Sequence, residues 1–230
     1  MAKAVGLILA AGGVGRRFGG ELPKQFEPLG MSSVLRLATN RLLARGDFAR
    51  LAVTAPQGYE SRTALELSAL GRTFNVVTGG QTRWRSVANA LDALGGVDVV
   101  VVHDAARPFV TRRVLDDCLA AVAVDGAAAA ALPATDTVKL TDDAGLVERT
   151  LDRRRVWLVQ TPQCFDYALL RDCYSRDEDW LAGATDDASL VEKLGRPVRL
   201  VTGHRQLFKL TSRDDLSYAE YLLAKGRVED

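Results

Sequence analysis

Residues 99–102 are four valines in a row, ending a run that starts at Asp98 and passes straight into His103-Asp104. A strand with one wet face alternates apolar and polar residues; an uninterrupted β-branched run belongs to a strand covered on both faces. The same kind of run recurs at Ala4 to Ala10, Leu51 to Thr54, Asn75 to Val77 and Ala127 to Leu132. Between the runs lie segments of helical length and periodicity: Ser32 to Arg45, Tyr59 to Leu70, Thr82 to Leu94 and Arg112 to Val124. Short buried strands separated by amphipathic helices require a mostly parallel sheet with helices on both faces, an α/β, Rossmann-like fold.

The pattern changes after Leu132. Thr137 to Leu140 and Leu146 to Leu151 read as two short strands around the turn Thr141-Asp142-Asp143-Ala144-Gly145, a β-hairpin arm inserted at about 135–155. Then follow a strand at Val156 to Gln160, a helix at Asp166 to Tyr174, and a helix opened by Thr185-Asp186-Asp187. Strands at Val198 to Thr202 and Leu207 to Leu210 and a helix from Asp214 to Lys225 end the chain. With 230 residues, one domain over 1–230 carrying the arm is expected.

Composition narrows the classes of partner. A formal net charge of +1 gives no reason to expect nucleic acid or an anionic membrane surface. No stretch approaches the ~20 apolar residues of a membrane helix. Lys3 followed by Ala4 to Ala11 imitates a secretory leader, but the apolar run is short and Arg16 and Arg17 follow closely, so export is not expected. Cys118, Cys164 and Cys173 have neither CxxC spacing nor an even count, which points to a reducing cytosol rather than a disulfide framework.

The first strand runs into Ala10-Ala11-Gly12-Gly13-Val14-Gly15-Arg16-Arg17-Phe18-Gly19-Gly20, then Pro23-Lys24-Gln25. Ligands of open α/β sheets bind at the carboxyl ends of strands, and glycines let backbone N–H groups approach phosphates. Phe18 stands where the dinucleotide fingerprint needs its third glycine, and no Gly-Lys-Ser/Thr completes a P-loop. A plain glycine turn with solvated arginines and a triphosphate cradle with three cations remain equal readings at this point. Likewise, Asp104 at a strand tip and Arg107 three residues on suit either an ion pair that ties down a loop or a site for metal, ribose or phosphate.

Taken together, these motifs resemble the sugar-nucleotidyltransferase superfamily: Leu9-Ala10-Ala11-Gly12, Gly15-Arg16-Arg17, Pro23-Lys24-Gln25-Phe26, Gly79-Gly80-Gln81-Thr82-Arg83-Trp84-Arg85-Ser86 and His103-Asp104-Ala105-Ala106-Arg107. More closely, they are similar to the 2-C-methyl-D-erythritol 4-phosphate cytidylyltransferases of the non-mevalonate isoprenoid pathway. The likeness spans Val5 to about Asp215. It implies attack of a polyol phosphate on the α-phosphorus of CTP, with Mg²⁺ held mainly by the triphosphate and Asp104 nearby. It implies CTP contacts from Ala10, Ala11, Gly12, Gly15, Arg16, Gly80, Gln81, Ser86, Asp104 and Ala105. Gln81 is a departure, since many relatives carry an acid there.

By the same resemblance Arg17 and Lys24 stabilise the transferring phosphate, and Arg153 and Lys209 place the attacking one. Arg107, Thr137, Thr161 and Thr185 complete the polyol-phosphate site. Arg153 and Thr137 sit on the arm, which in the family reaches a neighbouring subunit, so a homodimer with arm exchange is implied. Arg154 and Arg155 read as extra surface arginines, and His103 as a packed neighbour. Thr185-Asp186-Asp187 also reads as a helix cap, and Lys209 as a lone lysine in an apolar strand, costly unless its ammonium meets an anion. Three rivals are a ribitol 5-phosphate cytidylyltransferase, a non-catalytic nucleotide-binding module and, more remotely, an NAD-dependent oxidoreductase. With the sequence stopping at Asp230, a fused cyclodiphosphate synthase of the kind some relatives carry is not expected.

Overall fold

A computed structural model describes residues 3–13, 15, 18–19, 22–44 and 46–229. Arg16 and Arg17, expected at the phosphates, and Arg45, expected to end a helix, lie outside the described residues.

The central sheet contains seven strands, which in chain order are β1 (Val5–Ala10), β4 (Arg50–Ala55), β5 (Asn75–Thr78), β6 (Val99–Asp104), β7 (Ala127–Pro133), β10 (Trp157–Asp166) and β11 (Arg199–Thr202). Across the sheet they run β11-β7-β10-β6-β1-β4-β5. All neighbouring pairs are parallel except those of β10, which runs antiparallel to both β6 and β7. The small pairs β2 (Pro28–Leu29) with β3 (Ser32–Ser33) and β8 (Lys139–Thr141) with β9 (Val147–Thr150) stand apart, the latter being the expected arm.

The period of two in each strand divides the core. Leu7, Leu9, Leu51, Val53, Val99 and Val101 point to one face, where α1 (Val34–Leu43), α2 (Glu60–Ser68) and α4 (Arg112–Asp125) cover them. Ile8, Ala52, Val100, Val102 and Phe165 point to the other, under α3 (Arg83–Leu94), α5 (Tyr167–Tyr174), α6 (Glu178–Leu181) and α7 (Asp187–Lys193). The four-valine run therefore supplies both faces at once. Helix α8 (Arg213–Ala224) closes a smaller cluster with Phe18, Leu29 and Phe109, and begins with a Ser212/Asp215 capping box. Among the described residues no helix is long and apolar enough to cross a membrane.

Two expectations need correction. The strand at Val156 to Gln160 does not end there; β10 continues to Asp166. Pro162 has no N–H for a ladder, and it falls in the register irregularity between Val159 and Gln163, where the pairing shifts. Leu207 to Leu210 is not a strand, because other groups take up its backbone: Leu207 O accepts from Arg107 Nη1 at 2.8 Å, Leu210 N–H donates to Ala106 O at 2.8 Å, and Leu210 O accepts from Lys24 Nζ at 2.9 Å.

Candidate active site

The carboxyl ends of β1, β4 and β6 lie side by side, and the loops leaving them form a pocket of about 220 Å³. Its first wall is the turn after β1. Ala11 N–H donates to Thr54 Oγ1 at 2.8 Å, and the buried Gln25 donates to Ala11 O at 2.6 Å and Gly13 O at 3.2 Å. Opposite stands the turn into α3. A Cβ on Gly12 would lie 2.9 Å from Gly79 Cα, and one on Gly79 2.8 Å from Gly12 Cα, so glycine is needed on both sides. Ser86 Oγ accepts from Gly80 N–H at 3.0 Å and donates to Thr82 O at 3.0 Å, which fixes the second turn against the helix start. Thr82 caps α3 through Arg85 N–H.

Ala10, Ala11, Gly12, Gly80, Gln81, Ser86, Asp104, Ala105, Lys24 and Lys209 all line this pocket. Gly15 does not line it; its φ of +65° makes the turn that Phe18 N–H closes onto Gly15 O at 2.7 Å, and it packs against the Lys24 stem.

A second pocket, about 400 Å³, opens on the other side of the β6 tip and holds Arg107, Thr161 and Thr185 with Gln160, Gln163 and Ser189. The two pockets share Arg83, Asp104 and Lys209. Asp104 Oδ2 is 2.7 Å from Lys209 Nζ and 4.0 Å from Arg107 Nε, and its Oδ1 is 3.3 Å from Arg83 Nε. Burial alone would raise the Asp104 pKa; Arg83, Lys209 and Arg107 outweigh it and hold the carboxyl well below the usual range. Burial also opposes the charge on Arg83, yet Asp187 and Asp104 raise its pKa above the ordinary value. Arg107 is lowered, by burial first and by the neighbouring Arg83, against the pull of Asp104. Three cations around Asp104, with Lys24 beside them, leave the seam between the pockets able to receive anions.

Thr161 ties the seam to β10. Its Oγ1 accepts from Asp104 N–H at 3.0 Å and lies 3.2 Å from His103 Nδ1, while His103 Nε2 is 2.9 Å from Arg107 O. That chain of contacts assigns the proton to Nε2, with Thr161 donating to Nδ1. Fully buried, His103 has its pKa pushed down to about 4, chiefly by desolvation. It is the packed, neutral neighbour the sequence suggested. The α7 cap is Asp186, whose side chain accepts from Ser189 N–H at 2.9 Å; Thr185 precedes it at the rim of the second pocket.

Lys209 reaches Asp104 from a loop, not from the expected strand. Leu207 and Leu210 are buried anchors, and Gln160 Nε2 holds the loop through His204 O at 3.0 Å and Leu207 O at 3.3 Å. Thr137 and Arg153, by contrast, line neither pocket. Both are exposed near the arm, and Arg153 Nη1 donates to Thr135 O at 2.9 Å. Sequence reading missed Arg83, Gln25, Thr54, Gln163 and Asp187. Gln25, Arg83 and Asp187 stand inside the motifs named above, and Thr54 ends a buried run at the binding edge; Gln163 carried no comparable signal.

Among the described residues no group of three or more His, Cys, Asp or Glu gathers as a metal cage. Among them, too, Asp104 is the one carboxylate lining the first pocket, and both its oxygens already meet cations. That donor set does not fit a resident metal; it fits a divalent cation carried mainly by substrate phosphates, with Asp104 nearby.

The family model IspD, 2-C-methyl-D-erythritol 4-phosphate cytidylyltransferase, matches residues 5–225. A bifunctional IspD/IspF enzyme of Anaeromyxobacter sp. (strain Fw109-5) is 48% identical over 224 residues, 96% of this chain and 58% of that protein. This chain thus spans a little over half the length of that bifunctional relative. The 2-C-methyl-D-erythritol 4-phosphate cytidylyltransferase of Syntrophus aciditrophicus (strain SB) is 39% identical, covering 99% of this chain and 100% of its own. The crystal structure of the enzyme of that name from Thermus thermophilus superposes with a TM-score of 0.79 at 34% identity, covering 97% of this chain and 100% of that one. The chain belongs to the 2-C-methyl-D-erythritol 4-phosphate cytidylyltransferase family.

Proposed function

We propose that this chain joins CTP to 2-C-methyl-D-erythritol 4-phosphate, giving 4-diphosphocytidyl-2-C-methyl-D-erythritol and pyrophosphate. One observation carries the reading: two pockets of different character meet at a shared wall of Arg83, Asp104 and Lys209. The first takes the nucleotide, with cytosine against Gly80, Gln81 and Ser86 and the phosphates toward Lys24. The second takes the polyol phosphate, with its anion at Arg107 and Lys209 and its hydroxyls toward Thr161 and Thr185.

A phosphate oxygen of the polyol phosphate attacks the α-phosphorus of CTP. The new P–O bond forms as the bond to the β-phosphate breaks, and pyrophosphate leaves with the electron pair. Among the described residues neither pocket is lined by a cysteine or histidine, which favours direct transfer over a covalent intermediate. Lys24 offsets charge gathering on the α-phosphate and leaving group. Lys209 and Arg107 hold the attacking phosphate in line, a largely entropic contribution. A divalent cation bound through the triphosphate and Asp104 would supply further neutralisation of phosphate charge. Arg16 and Arg17 are proposed to complete the triphosphate cradle.

Thr137 and Arg153, exposed on the arm, are proposed to serve the second pocket of another copy, which makes the working unit a homodimer in the cytoplasm. The test is pyrophosphate release with CTP and either 2-C-methyl-D-erythritol 4-phosphate or ribitol 5-phosphate. Turnover with the first alone supports the assignment; turnover with ribitol 5-phosphate alone, or with neither, overturns it.

A further inference from the structure

Arg83 is the first residue of α3, and its guanidinium spans two carboxylates that arrive from distant parts of the chain. Nε lies 3.3 Å from Asp104 Oδ1 and Nη2 lies 2.7 Å from Asp187 Oδ2. Asp104 ends β6 and belongs to both pockets, whereas Asp187 opens α7, whose first turn edges the second pocket.

The far end of this bridge is firmly held. Asp187 is fully buried, Tyr174 Oη donates to its Oδ1 at 2.6 Å, and its own N–H donates to Gln163 Oε1 at 3.1 Å. Gln163 Nε2 in turn donates to Asp186 Oδ2 at 2.7 Å, so the start of α7 and the middle of β10 are one hydrogen-bonded unit. Tyr174 is partly buried and, through desolvation first and Asp187 second, keeps its proton well beyond the ordinary phenol range. It remains a donor throughout the working pH range. The guanidinium turns one nitrogen to each carboxylate, Nε as a hydrogen bond to Asp104 and Nη2 as a buried ion pair with Asp187, a two-point contact that a single ammonium cannot reproduce.

We propose that Arg83 is a positioning residue for nucleotidyl transfer: braced on Asp187 and Tyr174, it holds Asp104, and through Asp104 the Lys209 ammonium, at the seam where the two substrates must be aligned. The proposal rests on the cytidylyltransferase reading and adds a role for three side chains, Arg83, Asp187 and Tyr174, that the reaction scheme does not otherwise use. A plain charge-balancing role for the buried pair would affect stability alone; a positioning role affects the chemical step.

The two are separated by kcat, the KM for each substrate, the Kd for CTP and the melting temperature, measured on three variants. Arg83→Gln alone would leave Asp187 buried without its cation, so the first is the double variant Arg83→Gln/Asp187→Asn, which removes both charges together and retains a fold. Its kcat falls about 100-fold while the Kd for CTP stays within about threefold of wild type, because misalignment penalises the transition state more than ground-state binding. Arg83→Lys restores the charge without the fork and stays at least about tenfold below wild type in kcat. Tyr174→Phe, which lines neither pocket, lowers kcat by a smaller factor with the KM for CTP unchanged.

Wild-type kcat in the folded double variant overturns the proposal. So does full recovery by Arg83→Lys, or loss of CTP affinity in step with kcat, which would make Arg83 a nucleotide ligand. Wild-type protein that releases no pyrophosphate from CTP and 2-C-methyl-D-erythritol 4-phosphate overturns the activity reading itself; wild-type turnover with unaffected variants overturns only the role of Arg83.

Discussion

Asp104→Asn removes the negative charge around which the site is assembled while keeping nearly the same volume. The side chain is 9% exposed and faces cations at 2.7, 3.3 and 4.0 Å. Removing one partner from a buried ion pair costs about 3–5 kcal/mol. The low end applies here, since Arg83 keeps Asp187 and Lys209 is partly exposed to screening water. About 3 kcal/mol in a chain of this size corresponds to a fall in Tm of roughly 6–12 °C, measured by calorimetry at pH 7. Inorganic pyrophosphate or CTP should raise the variant's Tm more than that of wild type, because a bound polyanion meets the cations left unpaired. The sign of the pH dependence is fixed as well. The folded-state pKa of Asp104 is depressed, so its contribution is present above the unfolded carboxylate value of about 3.9 and is lost as pH falls toward the folded value. The gap between the two proteins should therefore narrow below about pH 4. A Tm within roughly 2 °C of wild type at pH 7, with no added response to pyrophosphate, would refute the ionic-hub reasoning.

His103 gives a second pH window. It is buried neutral, with a folded pKa of about 4 against 6.5, so the unfolded chain binds the extra proton between those values. Stability is complete above pH 6.5 and declines by about 3 kcal/mol as pH falls to about 4; urea titrations of wild type and His103→Gln should differ in slope over that interval, and parallel curves would count against it. Gly12→Ala places a Cβ 2.9 Å from the Gly79 backbone. The two turns must part, at about 1–3 kcal/mol of stability, with weaker CTP binding by calorimetry. Lys24→Glu should lower kcat by at least about 100-fold with a smaller change in CTP affinity; normal turnover would remove Lys24 from the transition state.

The strand and helix order was legible because the apolar runs are continuous and the helices periodic. Direction was not: nothing in Trp157–Asp166 states that β10 runs antiparallel between β6 and β7, since periodicity is blind to polarity. The strand was expected to stop at Gln160; β10 instead carries Pro162 through the register shift between Val159 and Gln163 and runs on to Asp166. Lys209 was identified as needing an anion, and it has one in Asp104, although its segment is a loop. Arg83 was hidden because an arginine in the first turn of a helix reads as solvated surface. Its partners stand at positions 104 and 187, and only the folded sheet brings them together. The exposed arm is the reverse case, a segment whose sequence motif is clear while a single chain gives Thr137 and Arg153 no pocket to serve.

The most direct measurement is a crystal structure of the protein with a non-hydrolysable CTP analogue and 2-C-methyl-D-erythritol 4-phosphate. The account predicts cytosine against Gly80, Gln81 and Ser86, the α-phosphate in hydrogen-bond reach of Lys24, and the polyol phosphate on Arg107 and Lys209 across the Asp104 seam. Nucleotide phosphates remote from Lys24, or both ligands crowded on one side of Asp104, would contradict it.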